Sequence, residues 1–305
     1  MVDRRAFVVS SVCGAAGVLC SAPVSSEGVR SPASTGSGVA LALGGGGARG
    51  LAHIPVLEAF DDLGVKPKAI AGTSMGSLIG ACYANGMKGS DIRSFAIELF
   101  EKRSVLIKRL VSAPAASWTA IFKLSNTAII EADKLFELVL PNSLPDKIEK
   151  LSIPLLIVTT DYLAQSEVVI RSGLLLPALG ASCALPALLA PVRHEGRLLI
   201  DGGFVNPTPF DVVTNHAKHV VAVDLTGRQD DADAQKPNAI ELTIAAMQIA
   251  LHNIVQAKRL NSSPSVLLSP AVAQFHTLDF YKAKEILEAA EPIKEQVKRE
   301  ITRLL

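Results

Sequence analysis

Two strand–turn–helix units lie one after the other between residues 41 and 86, and they constrain the possible fold of this chain most strongly. An apolar run at 39–43 leads into a glycine-rich turn at 44–50, and a helical pattern follows. A second apolar run at 69–71 leads into the turn Gly-Thr-Ser-Met-Gly at 72–76, again followed by a helical pattern. Apolar runs and helical patterns keep alternating downstream. This alternation predicts an α/β fold in which a central, mostly parallel or mixed sheet has helices on both faces, giving three layers.

The second turn holds Ser74 in a G-x-S-x-G setting, with Gly72 and Gly76 on either side. In a nucleophile elbow the chain passes from a strand into a helix so sharply that the flanking residues must be very small. The serine hydroxyl then lies at the helix N-terminus, where unpaired N–H groups and the helix dipole favour negative charge. A small-residue turn that only packs a helix against a strand would have the same sequence. The motif therefore makes Ser74 a candidate nucleophile.

The first turn contains Gly45, Gly46, Gly47 and Arg49, and it allows three interpretations. A dinucleotide-binding fingerprint needs an acidic residue at the end of the next strand, but the serine turn follows that strand instead. A P-loop needs a Gly-Lys-Ser/Thr ending, which this turn lacks. The third interpretation is an anion cradle, in which backbone N–H groups point at an oxyanion. The candidate nucleophile downstream favours the cradle, and Arg49 either adds positive charge to it or forms a surface salt bridge.

A catalytic serine needs a base, and none of the six histidines is well placed for that role. His53, for example, falls on the helix after the first turn, where a surface or internally satisfied histidine is expected. Asp201 is a better candidate because it ends a short apolar strand at 198–200, where α/β sheets place functional groups. Gly202 and Gly203 follow it and keep its surroundings open. Taken alone, Asp-Gly-Gly is also an ordinary turn.

The glycine-rich turn, the serine turn and the Asp-Gly-Gly sequence, in this order, resemble the three motifs of the patatin-like phospholipase family. The resemblance implies catalysis by a Ser–Asp dyad without histidine, with Ser74 as nucleophile and Asp201 as base. It also implies an oxyanion hole in the first turn, formed by Gly45, Gly46, Gly47 and Arg49. No metal or cofactor is implied. Pro55 stands where the family usually has glycine, and it is expected to bend the helix or mark a late first turn.

A lipid-like acyl ester is the substrate that the resemblance implies, hydrolysed by a phospholipase or carboxylesterase through an acyl-enzyme. Peripheral contact with a membrane would suit such a substrate. The apolar stretch 174–189 would line an acyl pocket or belong to the core. Two other functions stay open: a catalytically inactive lipid-binding or membrane-associated protein of the same fold, and a nucleotide-binding protein. Nucleic acid is not expected, because the formal net charge is +1 and the aromatic residues that would stack on bases make up 5%.

Residues 1–37 are expected to form a signal segment and a Ser/Pro/Gly-rich tether. A basic pair, Arg4 and Arg5, precedes a short apolar run and then small residues, which is the order found in secretory signals. The pair also resembles a twin-arginine signal. We therefore expect a periplasmic or secreted protein, which stays tethered to the membrane if the segment is not cleaved. The catalytic domain is predicted at 38–225, and a mainly helical part at 226–305 is expected to pack on the same domain.

Some further predictions concern single residues and local segments. Of the four cysteines, Cys13 and Cys20 lie in the predicted signal segment. The other two are far apart in the sequence and form neither a disulfide framework nor a metal site, so buried free thiols are expected. The remaining predictions are an N-cap at Ser90, a mobile helical cap at 102–126, a charged loop at His194, one long helix at 279–305, and free thiols at Cys82 and Cys183.

Overall fold

The computed structural model describes residues 38–101, 132–186, 188–227 and 239–305. The predicted signal segment and tether, and the predicted cap at 102–126, lie outside these residues, and the domain division stays a prediction. The strands are β1 (Val39–Leu43), β2 (Ile70–Thr73), β3 (Leu155–Asp161), β4 (Ser166–Ile170), β5 (Val192–His194), β6 (Arg197–Asp201), β7 (His219–Val223) and β8 (Val266–Leu268). The helices are α1 (His53–Asp62), α2 (Met75–Ala84), α3 (Gly89–Glu101), α4 (Ala132–Val139), α5 (Leu175–Ser182), α6 (Ala239–Asn261), α7 (Ala283–Ala290) and α8 (Ile293–Leu304).

The eight strands form one mixed sheet in the order β5-β6-β3-β2-β1-β7-β8, with β4 also paired to β3. Strands β3, β2, β1, β7 and β8 pair in parallel. The pairs β3–β4, β3–β6 and β5–β6 are antiparallel. Helices flank this sheet, and the predicted α/β fold with a mostly parallel or mixed sheet is confirmed.

Both faces of the sheet are covered, which explains why its central strands have no polar face. Along β1, side chains alternate between two cores because successive residues of a strand point to opposite faces. Leu41 and Leu43 belong to the core that also contains the apolar side chains of α1 and α2. Ala40 and Ala42 belong to the other core, together with Val255 of α6.

Strand β3 brings the ends of β2 and β6 together. Strand β2 follows one edge of β3 as far as Val158, which pairs with Thr73. Strand β6 continues along the same edge from Thr159, which pairs with Asp201, while β4 covers the opposite edge. Because β2 runs parallel to β3 and β6 runs antiparallel, both strands end at this junction. The sheet therefore places Asp201 beside the residue that precedes Ser74.

The helix after the first turn is preceded by a short 3₁₀ helix, Gly47–Ala52. Pro55 is the third residue of α1, and the helix continues to Asp62, so proline marks the first turn. Helix α3 begins at Gly89, which corrects the prediction that Ser90 is its N-cap. The Gly89 N–H instead donates to the Asp61 carboxylate at 2.7 Å, and this satisfies one of the N–H groups that a helix start leaves unpaired.

Two segments differ from their predictions. Residues around His194 form strand β5 rather than a charged loop, and a two-residue turn, Glu195 and Gly196, joins it to β6. Both turn residues have positive φ, 48° and 79°, which is typical of tight hairpins. The expected long C-terminal helix is two helices, α7 and α8, with Pro292 between them, since proline cannot continue a helix. No helix in the described part of the chain is long and apolar enough to cross a membrane.

Candidate active site

Ser74 joins β2 to α2 in a strained backbone conformation. Its φ and ψ are 51° and −125°, and a residue with a side chain seldom adopts a positive φ. The turn is so tight that a Cβ on Gly76 would lie 2.1 Å from the Leu43 carbonyl oxygen. A Cβ on Gly72 would lie 2.5 Å from the Cα of Ser77. Both flanking positions therefore require glycine, which is the geometry of a nucleophile elbow.

Ser182, the last residue of α5, supports this strained turn. The Ser74 N–H donates to Ser182 Oγ at 2.9 Å, and the Ser182 hydroxyl donates to the Val158 oxygen at 2.7 Å. Ser182 is fully buried. Sequence analysis gave it no role of its own, although the segment that begins at Ala181 and Ser182 also resembles the patatin-like phospholipase family.

The Ser74 and Asp201 side chains line the same cavity, and Ser74 lies close enough to influence the pKa of the Asp201 carboxyl. Asp201 is only 6% exposed, and its Oδ1 accepts a hydrogen bond from the Gly203 N–H at 2.7 Å. Burial raises the pKa of Asp201 to about 6, although the hydrogen bond from Gly203 and the nearby Ser74 side chain oppose this shift. A carboxylate with this pKa is a stronger base than an exposed one and is still ionised at neutral pH. A Cβ on Gly202 would lie 2.2 Å from the Val158 oxygen, so the chain can turn here only with glycine.

The amides of the first turn differ in what they bind. The Gly45 N–H donates to the Pro207 oxygen at 2.9 Å, so it is not free to bind an oxyanion, which corrects the expectation for Gly45. A Cβ at this position would lie 3.3 Å from the Cβ of Ser74, so a larger residue would crowd the candidate nucleophile. Within the described residues, the N–H groups of Gly46 and Gly47 make no hydrogen bond, and both glycines line the same cavity as Ser74. These two amides are available as oxyanion donors.

Arg49 binds backbone carbonyls rather than the cavity around Ser74. Its Nε donates to the Phe275 oxygen at 2.6 Å, and its Nη1 lies 3.5 Å from the oxygens of Leu225 and Gly227. The residues that line the cavity do not include Arg49. The expectation that this side chain assists at the oxyanion is therefore wrong. The guanidinium instead fixes the first turn against the segment after β7 and the segment before α7.

His53 is neither a surface residue nor a fully satisfied one. It is completely buried, and its Nε2 lies 2.7 Å from the Gly44 oxygen. Because a carbonyl only accepts, Nε2 carries the proton, and Nδ1 has no hydrogen-bond partner within the described residues. The same peptide unit is held at its other end, since Gly45 donates to Pro207. His53 thus helps to fix the plane of the Gly44–Gly45 peptide, just before the two free amides.

Replacing His53 by glutamine should make the free energy of unfolding decrease less as the pH falls. Burial lowers the pKa of His53 from 6.5 to about 4. The unfolded chain therefore binds a proton between these values that the native protein does not, and native stability falls as the pH decreases from 6.5 towards 4. The loss from this residue is at most about 3 kcal/mol. Glutamine keeps an N–H donor but does not titrate. Denaturant unfolding at a series of pH values measures the effect, and equal pH dependence in both proteins would contradict it.

A cavity of about 320 Å³ adjoins Ser74 and Asp201. Most of its walls are apolar, and they come from widely separated segments: Met75, Leu78, Leu135, Phe136, Leu185, Leu188, Leu189, Met247, Leu251, Leu278 and Phe280. Of the predicted stretch 174–189, only its C-terminal part lines the cavity, while Leu175 and Leu179 are core residues. No sequence pattern predicted that α4, α6 and the C-terminal region would line this cavity.

The two cysteines within the described residues are free and buried, as predicted. Cys183 lines the cavity, near the side chains of Ser74 and Ser77. Burial raises the pKa of the Cys183 thiol, so it stays protonated at neutral pH. No group of three or more His, Cys, Asp or Glu residues that could hold a metal ion occurs in the described part of the chain.

The motifs agree with comparisons to known proteins. A family model described as "Patatin-like phospholipase" matches residues 41–214. The chain belongs to the patatin-like phospholipase family. The match includes all three motifs, from the glycine-rich turn to the Asp-Gly-Gly sequence, which are the residues that predicted this family.

Curated relatives are longer than the region that they share with this chain. An uncharacterized NTE family protein of Mycobacterium tuberculosis is 37% identical over 192 residues, which cover 63% of this chain and 50% of that protein. Patatin-like phospholipase domain-containing protein 7 of Rattus norvegicus is 32% identical over 281 residues, covering 83% of this chain and 20% of that protein. The chain thus spans half or less of these relatives. Among solved structures, VipD from Legionella pneumophila aligns with 87% of this chain and 67% of its own, at 14% identity and a TM-score of 0.47.

Proposed function

We propose that this protein is a serine-dependent lipid acyl hydrolase that works through a Ser74–Asp201 dyad. The observation that carries the proposal is that Ser74 and the buried carboxylate of Asp201 line one apolar cavity, together with the Gly46 and Gly47 amides, which make no hydrogen bond within the described residues. This juxtaposition supports general-base activation of the serine, which needs the base close to the hydroxyl. Membership of the family supports a lipid ester as substrate.

The proposed reaction has two halves. Asp201 accepts the Ser74 proton while Oγ attacks the ester carbonyl, and the amides of Gly46 and Gly47 donate to the oxyanion of the tetrahedral intermediate. The C–O bond to the alcohol then breaks, and the proton on Asp201 passes to the departing alcohol. In the second half Asp201 accepts a proton from water, which attacks the acyl-enzyme. The fatty acid leaves, and the proton returns to Ser74.

The cavity supports an acyl chain as the group that is transferred. Its walls consist largely of leucine, methionine and phenylalanine, while the polar groups converge at Ser74 and Asp201. Such a combination orients an apolar ligand with its reactive carbonyl at the polar end. Two leucines of the wall, Leu188 and Leu278, are 37% and 44% exposed. They support a proposal of peripheral contact with lipid.

Hydrolysis of defined esters by the full chain tests this proposal. We expect release of fatty acid from p-nitrophenyl butanoate and from lysophosphatidylcholine, measured by chromatography of the products. An inactive lipid-binding protein would bind the lysolipid in a dialysis experiment but release no acid above the buffer control. That result would contradict the proposed function.

The pH dependence of kcat/KM should reflect the raised pKa of Asp201. Only the ionised carboxylate can accept the Ser74 proton, so the rate should be level above pH 7 and fall about tenfold per unit below about pH 6. Initial rates of butanoate release between pH 4.5 and pH 8.5 measure this profile. A profile that stays level down to pH 4.5 would contradict the assignment of Asp201 as the base.

A further inference from the structure

A second cavity lies beside the first and shares a wall with it. Its volume is about 280 Å³, and it is bordered by α2, α3 and α4. Five residues line both cavities: Met75, Leu78, Leu135, Phe136 and Phe280. The remaining lining residues belong to the second cavity alone, and they include Cys82 of α2 and Ala96 and Leu99 of α3.

The chemistry of this second cavity suits a hydrocarbon chain. All of its lining side chains are apolar apart from the weakly polar thiol of Cys82, and burial keeps that thiol protonated by raising its pKa. A polar or charged ligand group would lose its hydrogen bonds to water here and find no partner. A methylene chain would gain from leaving water, and the gain increases with each carbon that enters.

The shared wall begins at the residue that follows the nucleophile. Met75 is next to Ser74 in the chain, and Leu78 follows one turn later on the same side of α2. Gly50 makes room for Met75, because a Cβ on Gly50 would lie 2.1 Å from the Met75 Cγ. Methionine is unbranched and has three rotatable bonds, so it adapts readily to a ligand. A chain that leaves the ester at Ser74 therefore meets a deformable side chain between the two cavities.

We propose that the second cavity binds a further length of hydrocarbon of the lipid substrate, beyond the part held in the cavity at Ser74. This inference rests on the proposed hydrolase function and specifies its substrate. The hydrocarbon is either the distal half of one long acyl chain or the second chain of a diacyl lipid. In both cases the cavity makes the enzyme selective for substrates with more hydrocarbon than the first cavity holds.

Ala96→Phe tests this inference by filling the second cavity. Ala96 lies on α3, is 5% exposed and lines the second cavity but not the first. Ser94→Phe is the matched control, because it places the same ring on the exposed side of the same helix. The substrates are the p-nitrophenyl esters of butanoic and hexadecanoic acid and a phosphatidylcholine with two octanoyl chains. Circular dichroism and thermal unfolding establish that each variant is folded.

The expected result is a selective loss. For Ala96→Phe, kcat/KM for the butanoate ester should stay within about twofold of the wild type, because a four-carbon acyl chain is too short to extend beyond the first cavity. A longer hydrocarbon should bind about fourfold less tightly for each methylene that the new ring excludes, because burying one methylene contributes about 0.8 kcal/mol. A tenfold or greater loss on the hexadecanoate ester identifies the distal part of one chain as the occupant. A loss of that size on the diacyl lipid alone identifies the second chain. Ser94→Phe should match the wild type on all three substrates.

Other outcomes would overturn the inference. An unchanged ratio of hexadecanoate to butanoate rates, together with unchanged diacyl hydrolysis, would show that the second cavity does not contact substrate. Equal losses of kcat/KM on all three substrates would indicate only structural damage, and they would also contradict the inference. If Ala96→Phe does not fold, Leu99→Ala enlarges the same cavity and should raise the hexadecanoate preference, and an unchanged preference would overturn the inference. Absence of butanoate hydrolysis by the wild type would instead contradict the proposed function, and this inference with it.

Discussion

Replacing Ser74 by alanine should lower kcat/KM for ester hydrolysis by about 10³-fold to 10⁶-fold, to a level near that of the buffer reaction. The alanine variant retains the cavity and the free amides of the first turn, but it has no oxygen that could attack the ester or carry the acyl group. Lipid binding should therefore persist while turnover disappears. Initial rates with p-nitrophenyl butanoate, and dialysis with lysophosphatidylcholine, measure the two properties separately.

Ser77→Ala is the matched control for that experiment. Ser77 lies on the next turn of α2, is also buried, and donates its hydroxyl to the Ser74 carbonyl oxygen at 2.6 Å. Its loss removes one hydrogen bond that supports the elbow, but no reacting atom. We expect Ser77→Ala to keep at least about a tenth of the activity, since one such bond contributes about 1 kcal/mol. Substantial turnover by Ser74→Ala would show that another group is the nucleophile.

Replacing Asp201 by asparagine should abolish hydrolysis and stabilise the protein at the same time. The carboxamide has nearly the shape of the carboxylate and can accept from the Gly203 N–H, but it cannot take the Ser74 proton. We expect kcat/KM to fall by about 10³-fold or more, as for the loss of a general base that acts together with its nucleophile.

The gain in stability follows from the direction of the pKa shift. The native protein raises the pKa of Asp201 from 3.8 to about 6, so ionising this residue costs more free energy in the native protein than in the unfolded chain. That cost is fully present above pH 6 and disappears as the pH falls below 3.8. Asp201→Asn should therefore raise the free energy of unfolding at pH 8 by at most about 3 kcal/mol. The difference from the wild type should shrink towards pH 4.

Denaturant unfolding of both proteins at pH 8 and pH 4.5 measures this difference, and initial rates at pH 8 measure the activity. A loss of activity with no gain in stability at pH 8 would show that the burial of Asp201 costs less than its pKa implies. Retained activity would remove Asp201 from the mechanism.

The sequence identifies both residues of the proposed dyad as candidates because the tight turns around them require particular residues. Gly72, Gly76 and Gly202 stand where a Cβ would collide with backbone atoms, so the tight turns around Ser74 and Asp201 are visible as glycines. The order of apolar runs and helical patterns likewise predicted the α/β fold. Ser74 and Asp201 lie close together because β2 and β6 both pair with the same edge of β3. No pattern in the sequence states that pairing, and the family resemblance supplied the dyad instead.

Interactions between distant segments account for the errors. Arg49 binds the oxygens of Phe275 and Leu225, which lie far along the chain, so its position within the glycine-rich turn gave the wrong role. The Gly45 amide is similarly taken by Pro207. His53 is buried because its ring reaches the Gly44 oxygen just after β1 while α1 packs against α2, α3 and α8. The break at Pro292 was the exception, since proline in a helical pattern is itself a local signal.

Labelling of the full chain with a fluorophosphonate, followed by intact mass determination and peptide mapping, shows which residue is the nucleophile. An activated serine attacks the phosphorus and releases fluoride, and the adduct resembles the tetrahedral intermediate of ester hydrolysis. We expect one adduct per chain, located on Ser74, with much slower labelling of Asp201→Asn. An adduct on another serine, or no adduct in a preparation that hydrolyses p-nitrophenyl butanoate, would contradict this expectation.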